Sequence, residues 1–499
     1  MKKFYVYHEK KVIMNIPLII VIGYIILQLG ISWYSTRLSK ASGVLGYLLA
    51  GRGLPVILVA VMITGIAVGG ASTVGVAEQA YTKGISAGMY NAAWGIAAIL
   101  VGLFAASRFR KMNITTIPEL FRQYYGKSGQ VLAVTGQVII LMVIISLQYV
   151  AGGAILTALL PEYFTFSTGM LATAAVFVGI TLIGGYWAAG LSNLINVAVI
   201  YISVIAGVVM SISGAGGFST ITAHLPARTP WFDPVAGVGF TMVVAWFLVM
   251  FPTVFSTQGV VQISFAAKDA KTAKTGYILG GLLILPIGFI SAIFGIVAAV
   301  KFPGLENTSM ALPDVVLSFN PYIAGLTLAG LWAADISTAV GLLLGCTTLV
   351  IKDLWKVFLQ PDISKKQELI TSRIIVLAIS IVTYLLATTV VGILKTLLIS
   401  LTLMTSYTVI LLFSMFLPKL CRKSAAVWTL ITGMMLLALW QFVPAVRIVS
   451  HPVYLEWPVC IITFLLIYIT DKRPANILPS KFVTTQPKEY LNNNSVNIS

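Results

Sequence analysis

The feature that most constrains this chain is the recurrence of long apolar runs. A helix needs about 20 apolar residues to cross the hydrocarbon core of a bilayer. Thirteen runs satisfy that rule, at 13–34, 53–80, 84–106, 130–156, 166–185, 190–213, 236–257, 274–300, 321–349, 373–394, 396–417, 424–444 and 452–470. Inside hydrocarbon each backbone polar group must be bonded within its own segment, so runs of this length are helices. Only 9% of the 499 residues are charged and 58% are apolar, against roughly 25% charged in a soluble domain. A water-facing shell cannot be built from that. The expected fold class is an all-α integral membrane protein of about 13 transmembrane helices, with the lipid bilayer as its solvent.

The charge balance is basic, with 32 Lys and Arg against 15 Asp and Glu. In a membrane protein such an excess marks cytoplasmic loops and implies no nucleic acid. Placing the N-terminus outside gathers Arg37, Lys40 and Arg52, then Arg108, Arg110, Lys111, Arg122 and Lys127, then Lys268, Lys271 and Lys274 on the inner face. Lys352, Lys356, Lys365, Lys366, Arg373, Lys419, Arg422, Lys423 and the Lys and Arg of the tail join them. Lys2, Lys3, Lys10 and Lys11 argue the other way, and the later loops outweigh them. The expectation is a multi-pass protein of the cell membrane, N-terminus outside and C-terminus cytoplasmic. Cys346, Cys421 and Cys460 stand at no redox or metal spacing. The first apolar run lacks a small-residue cleavage site and reads as an uncleaved span.

Two spans carry helix-breaking residues. The second contains Gly65, Gly69, Gly70 and Gly75 with Ser72 and Thr73 in eleven residues. Gly costs roughly 1 kcal/mol against Ala in a helix interior. Such a segment either packs closely against a neighbour or unwinds and frees carbonyls toward a cavity. The seventh span carries Phe251-Pro252-Thr253, where Pro removes a helical hydrogen bond. The two spans open successive groups of five and cross in opposite directions. That arrangement divides the chain into an extra helix and loop (1–52), a five-helix repeat (53–213), an extracellular linker (214–235), an inverted five-helix repeat (236–417), two further helices (418–470) and a disordered cytoplasmic tail (471–499). Interrupted helices at matching places in two inverted halves point to a transporter site near the midplane.

The ninth span holds Ala334-Asp335-Ile-Ser337-Thr338. A carboxylate at a helix centre costs about 2.5–3.5 kcal/mol on insertion scales and marks a functional position. Ala334, Ser337 and Thr338 share a face. The Ala334 carbonyl and two hydroxyls supply hard oxygen donors, and freed carbonyls of Gly65 and Val68 complete a shell suited to Na⁺. Asp335 either joins the ion or carries a proton. The hydroxyls alone could equally bond back to their own helix.

In this order the segments resemble the sodium:solute symporter family. They are Gly51-Arg52-Gly-Leu-Pro55, Ala80-Tyr81-Thr-Lys-Gly84, Thr116-Ile-Pro118-Glu119-Leu-Phe, Tyr124-Tyr125-Gly126, Gln258 through Gln262, Ala266-Ala267-Lys268 and Ser337-Thr338 through Lys352-Asp353. The resemblance implies the five-plus-five inverted-repeat (LeuT-type) fold and a Na⁺ site at Gly65, Val68, Ala334, Ser337 and Thr338, the set reached from the oxygen chemistry. It also implies departures. Ser192-Asn193 stands where many members carry Thr-Asp, which argues for a single ion. Ile263 replaces the usual Arg after Gln262. Asp335 stands at a usually apolar place. Ala67 stands where proline-type members carry Asp, which argues against proline as the solute.

The implied activity is symport of a small organic solute with Na⁺ as coupling ion, by alternating access. The candidate solute residues are Gly69, Gly70, Ser72 and Thr73 at the break, with Asn91, Gln148, Tyr149, Trp246, Phe251 and Pro252 around it. Glu78 falls in an outer vestibule. No Lys or Arg lies inside the core spans, so a carboxylate would be held by backbone N–H groups at helix breaks. The rivals are proton coupling through Asp335, and a transporter-like sensor or channel. An enzyme is disfavoured: His8, His224 and His451 all lie outside the span centres. The sequence is compatible with a monomer.

Overall fold

The computed structural model describes residues 15–40, 43–227, 229–390 and 393–476. The expected N-terminal lead and the tail beyond 476 lie outside the described residues. Residues 471–476, expected to open that tail, are packed: Ala475 N–H donates to Cys421 O at 3.1 Å and Asn476 N–H to Tyr124 O at 3.0 Å.

Among the described residues all the regular structure is helical apart from two isolated β-bridges. In chain order the helices used below are α1 (Asn15–Lys40), α2 (Val56–Ala67), α3 (Val76–Lys83), α4 (Met89–Val101), α5 (Ile117–Leu159), α6 (Phe166–Gly214), α7 (Phe240–Ser256) and α8 (Gln258–Ala266). They continue with α9 (Ala270–Lys301), α10 (Ala311–Leu317), α11 (Pro321–Leu349), α12 (Lys365–Ala387), α13 (Ile393–Leu401), α14 (Met404–Phe416), α15 (Ala425–Phe442) and α16 (Val453–Thr470). Starts follow local chemistry. Thr116 accepts the Glu119 N–H ahead of α5, Ser364 and Gln367 form a capping box on α12, and Asp269 accepts the Thr272 N–H at the head of α9.

Among the described residues 10 helical runs are long and apolar enough to cross a membrane, or 11 with the bent pair α7–α8. The thirteen apolar runs therefore do not appear as thirteen separate helices, and the reason is local. Helix continues through two of the expected junctions. Phe166–Gly214 spans 49 residues, about 70 Å if straight. It bends at Gly185, whose φ of 62° only glycine adopts freely. A Cβ there would stand 2.5 Å from the Tyr47 ring.

α11 is buried at every position from Leu331 through Leu349 and packed by α1, α2, α5, α6 and α8. That placement makes its polar stripe tolerable. Leu54, just ahead of α2, is tied side by side with the end of α8, Leu54 N–H to Ala266 O at 3.1 Å and Lys268 N–H to Leu54 O at 2.9 Å.

Candidate functional site

α2 ends at Val68, where φ −98° and ψ 78° leave the helix. The chain re-enters through a π-turn, Ala71–Gly75, closed by Gly75 N–H on Gly70 O at 2.8 Å. Between these two segments the i→i−4 ladder is interrupted. The Ser72 hydroxyl donates back to Ala67 O, and Thr73 Oγ1 donates to Gly69 O at 3.1 Å. The glycines are required by contact. A Cβ on Gly65 would lie 2.2 Å from Asn193 Oδ1, and one on Gly70 would lie 2.1 Å from Ala151 Cβ.

α11 lies against this break. Thr338 Oγ1 donates to Gly65 O at 2.6 Å, and Ser337 Oγ approaches the same oxygen at 3.3 Å. The two hydroxyls also reach Ala334 O, at 2.7 Å from Ser337 and 3.3 Å from Thr338. Four of the five expected sodium donors are thus linked by hydrogen bonds, with Val68 at the adjoining helix end. The hydroxyls bond across the helix pair as well as back to their own helix.

Asp335 faces the same break one residue along. It is fully buried; its Oδ1 accepts Gly70 N–H at 3.2 Å, and Gln148 Oε1 shares that donor at 3.2 Å. Its Oδ2 has no hydrogen-bond partner among the described residues.

The second broken span differs from expectation in where it breaks. Helix runs through Pro252 and stops at Thr257, with a 46° bend between α7 and α8. The carbonyl that Pro252 leaves without a helical donor, Leu248 O, takes Trp457 Nε1–H at 3.1 Å. The bend at Thr257 is held instead by amides. Gln258 N–H donates to Gln137 Oε1 at 3.0 Å, and Ile117 N–H donates to Gln258 Oε1 at 2.9 Å.

Both breaks meet at one cavity of about 40 Å³, lined by Ala67, Gly69, Gln148, Thr253, Thr257 and Thr338 among others. Gly69 and Gln148 were expected there. Gly70, Ser72 and Thr73 form the break without lining this cavity. Asn91 packs toward Gly288 on α9. Tyr149 turns to α12, donating to Ser380 O at 2.8 Å, and Phe251 stacks on Phe255. Trp246 lines a separate, larger cavity, as does Glu78. Sequence reading missed Tyr90, Trp94, Thr253 and Thr257. The two threonines, one turn apart in Thr253-Val-Phe-Ser-Thr257, were the available signal.

A helical membrane protein whose two interrupted spans converge on one small, largely apolar pocket with a few hydroxyl and amide groups has the build of a secondary transporter. The comparisons agree. The profile of the sodium:solute symporter family matches residues 47–433, a stretch that includes both breaks and Ser337-Thr338. The chain belongs to the sodium:solute symporter family. The osmoregulated proline transporter OpuE of Bacillus subtilis is 25% identical over 393 residues, covering 75% of this chain and 78% of that protein. The sodium/proline symporter of Salmonella typhimurium is 25% identical over 380 residues, covering 72% and 73%. Among solved structures, a Na⁺-coupled sialic acid symporter in a substrate-bound outward-open state superposes with a TM-score of 0.77 at 18% identity, over 93% of this chain and 99% of that one. Mhp1, a nucleobase-cation-symport-1 family transporter, superposes at 0.59 and 16% identity, over 85% and 93%. The protein is a sodium-coupled solute symporter of the membrane, and Na⁺ is its coupling ion.

Proposed function

We propose that Gly65, Val68 and Ala334 through their carbonyls, and Ser337 and Thr338 through their hydroxyls, hold one Na⁺ between α2 and α11. The observation that carries this is the Thr338–Gly65 contact at 2.6 Å. Two oxygens from helices far apart in the chain meet where the α2 ladder is open. A bound cation would take over the carbonyls that the hydroxyls now occupy. The Thr338 and Ser337 lone pairs would turn to it, locking α2 to α11.

The solute reads as a small organic molecule bound beside that ion, at Gly69 and Gln148 between the two breaks. A volume of about 40 Å³ is close to that of one water molecule, so admitting a solute requires the walls to part. The larger cavity above it, about 1100 Å³, gives the approach. Relatives named for proline, glucose and myo-inositol bracket the solute's size. The absence of Lys and Arg from the small cavity's lining leaves backbone N–H groups to meet any carboxylate.

Thirteen crossings follow if the runs Ala71–Lys111 and Phe166–Gly214 each count twice, divided at Gly84 and Gly185, both at positive φ. The segments 53–213 and 236–417 then form two inverted five-helix repeats, each opening on a broken helix, with the N-terminus outside and the C-terminus inside. Supporting this, Arg52, Arg110 and Lys268 gather at one face, where Arg52 bonds Asn113 O at 2.9 Å and Arg110 bonds Lys268 O at 3.2 Å. The deciding experiment is solute uptake into proteoliposomes at fixed pH with an imposed Na⁺ gradient. Sodium-driven accumulation that Ser337→Ala and Thr338→Ala shift to higher Na⁺ is expected; an unchanged Na⁺ dependence in both variants would remove this site.

A further inference from the structure

The residues that follow α16 are bonded along their length. Asp471 Oδ2 accepts the Ser424 hydroxyl at 2.6 Å and the Ser424 N–H at 3.3 Å, at the head of α15. Lys423 N–H donates to Arg473 O at 3.1 Å, and Arg422 pairs with Pro474 in an antiparallel bridge. Ala475 N–H donates to Cys421 O at 3.1 Å. Asn476 reaches a different element. Its N–H donates to Tyr124 O at 3.0 Å and its Nδ2 to Gln123 O at 3.2 Å, both on α5.

The end of α5 held in this way is a jointed arm. Residues 117–125 are helical, and Gly126 then takes φ 82° and ψ −169° before the helix resumes. A Cβ on Gly126 would meet nothing within 4 Å, so glycine stands there for its backbone freedom and not for want of space. The first residue of the arm is bonded to the second broken span. Ile117 N–H donates to Gln258 Oε1 at 2.9 Å, and Gln258 Nε2 donates to Thr115 O at 3.1 Å. Gln258 opens α8 directly after the bend, and the far end of α8 is tied to Leu54 ahead of α2. A connected path thus runs from Asn476 through a hinged arm to both interrupted spans. α14 steadies the arm from the side, with Tyr125 OH and Ser414 Oγ at 2.7 Å.

We propose that residues 471–476 are a strap that keeps the inner side of the transporter closed by holding the α5 arm. The arm starts beside Arg52, which bonds Ile114 O at 3.2 Å. Arg52 and Gln79 stand at opposite ends of the first broken span, and Gln79 lines the cavity of about 1100 Å³, so strap and cavity lie at opposite faces. Solute that enters by the cavity leaves past α8 and the arm. While Asn476 holds Gln123 and Tyr124, the arm is kept from swinging about Gly126, and α8 stays against it through Gln258. Freeing the arm lets α8 move, and Val260 of α8 is a wall of the small cavity. The strap lies beyond residues 47–433, the stretch that the family profile matches, and so stands apart from the shared machinery. The inference rests on the solute-transport reading above and gives its inner side a control.

The test compares the native full chain with a double variant, Ala475→Pro with Asn476→Pro, which removes both N–H donors. Both are placed in lipid nanodiscs with Na⁺ and no solute, and hydrogen exchange is read by peptide. Exchange should rise at least tenfold in 471–476 and at least threefold in 117–125 and 258–266, with 331–349 unchanged. Access is read with N-ethylmaleimide after the three native cysteines are replaced by alanine. Val260→Cys, on the small cavity, should react at least fivefold faster in the double variant, and Thr82→Cys, on the large cavity, no faster. Asp471→Ala frees Ser424 and keeps every main-chain donor. It should give the same pattern at smaller size, and it decides the matter if the proline variant does not fold. Unchanged exchange in 471–476, a rise confined to 471–476, or native reactivity of Val260→Cys overturns the proposal. The sodium reading is followed separately on the same preparation, by Na⁺-dependent thermal stabilisation and its loss in Thr338→Ala.

Discussion

Thr338 Oγ1 on α11 lies 2.6 Å from Gly65 O at the end of α2, although 273 positions separate them in the chain. The contact joins the buried stretch of α11 to the helix that unwinds. Removing the Thr338 hydroxyl deletes one hard oxygen from the proposed ion shell and leaves Gly65 O short of its donor. Losing a partner of this kind costs about 1–3 kcal/mol, which corresponds to a rise of roughly 5- to 150-fold in the Na⁺ concentration for half-maximal uptake. Thr338→Ser keeps the oxygen and should stay near native. Uptake titrated against Na⁺ in the two variants reads the difference, and equal curves would dissociate Thr338 from the ion.

Gly65 is under a second constraint. Its missing Cβ is filled by Asn193, whose Oδ1 would stand 2.2 Å from a methyl placed there. Gly65→Ala must push α6 away from α2 and misplace the Gly65 carbonyl. We expect transport to fall at least tenfold. Because the clash is with a side chain, Asn193→Ala should restore part of it in the double variant. Non-additivity in a double-mutant cycle is the signature; additive losses would show that the two residues do not press on each other.

Asp335 separates sodium coupling from the proton rival. Its Oδ1 accepts the Gly70 N–H at the break, a role the Asn oxygen can fill. Asp335→Asn should therefore keep Na⁺-driven uptake within a few-fold of native. Asp335→Leu, which leaves Gly70 N–H with only Gln148, should lose most of it. Uptake in Asp335→Asn that no longer responds to a Na⁺ gradient would put the carboxylate charge in the coupling step.

Much of this was legible in the sequence because it depends on short-range rules. Span length, glycine at the first break and the i, i+3, i+4 face of Ala334, Ser337 and Thr338 are local properties. The second break was placed by the wrong signal. Pro252 suggested it, but the deprived carbonyl of Leu248 is served by Trp457, 209 residues away, so helix continues there. The actual bend falls at Thr257, five residues past the Pro, and is held by the amides of Gln137 and Gln258. Tyr149 shows the same limit. Its helix was read correctly, but which face meets the cavity depends on α12, whose carbonyl at Ser380 takes the hydroxyl.

His451 gives the chain a pH dependence with a defined sign. It sits just ahead of α16, is 4% exposed, and burial pulls its pKa from 6.5 down to about 4. The folded ring therefore stays neutral where the unfolded one takes a proton. Between about pH 6.5 and pH 4 the unfolded state binds more protons, so stability falls as pH drops through that window and levels off below it. At 1.36 kcal/mol per pKa unit, the loss by pH 5 is about 2 kcal/mol. The melting temperature of the purified protein should thus be lower at pH 5 than at pH 7.5. His451→Gln retains an acceptor for Val453 N–H and cannot ionise, so it should flatten that part of the profile while sitting below native at neutral pH. A variant whose melting temperature tracks pH as steeply as the native protein would assign the dependence to other groups.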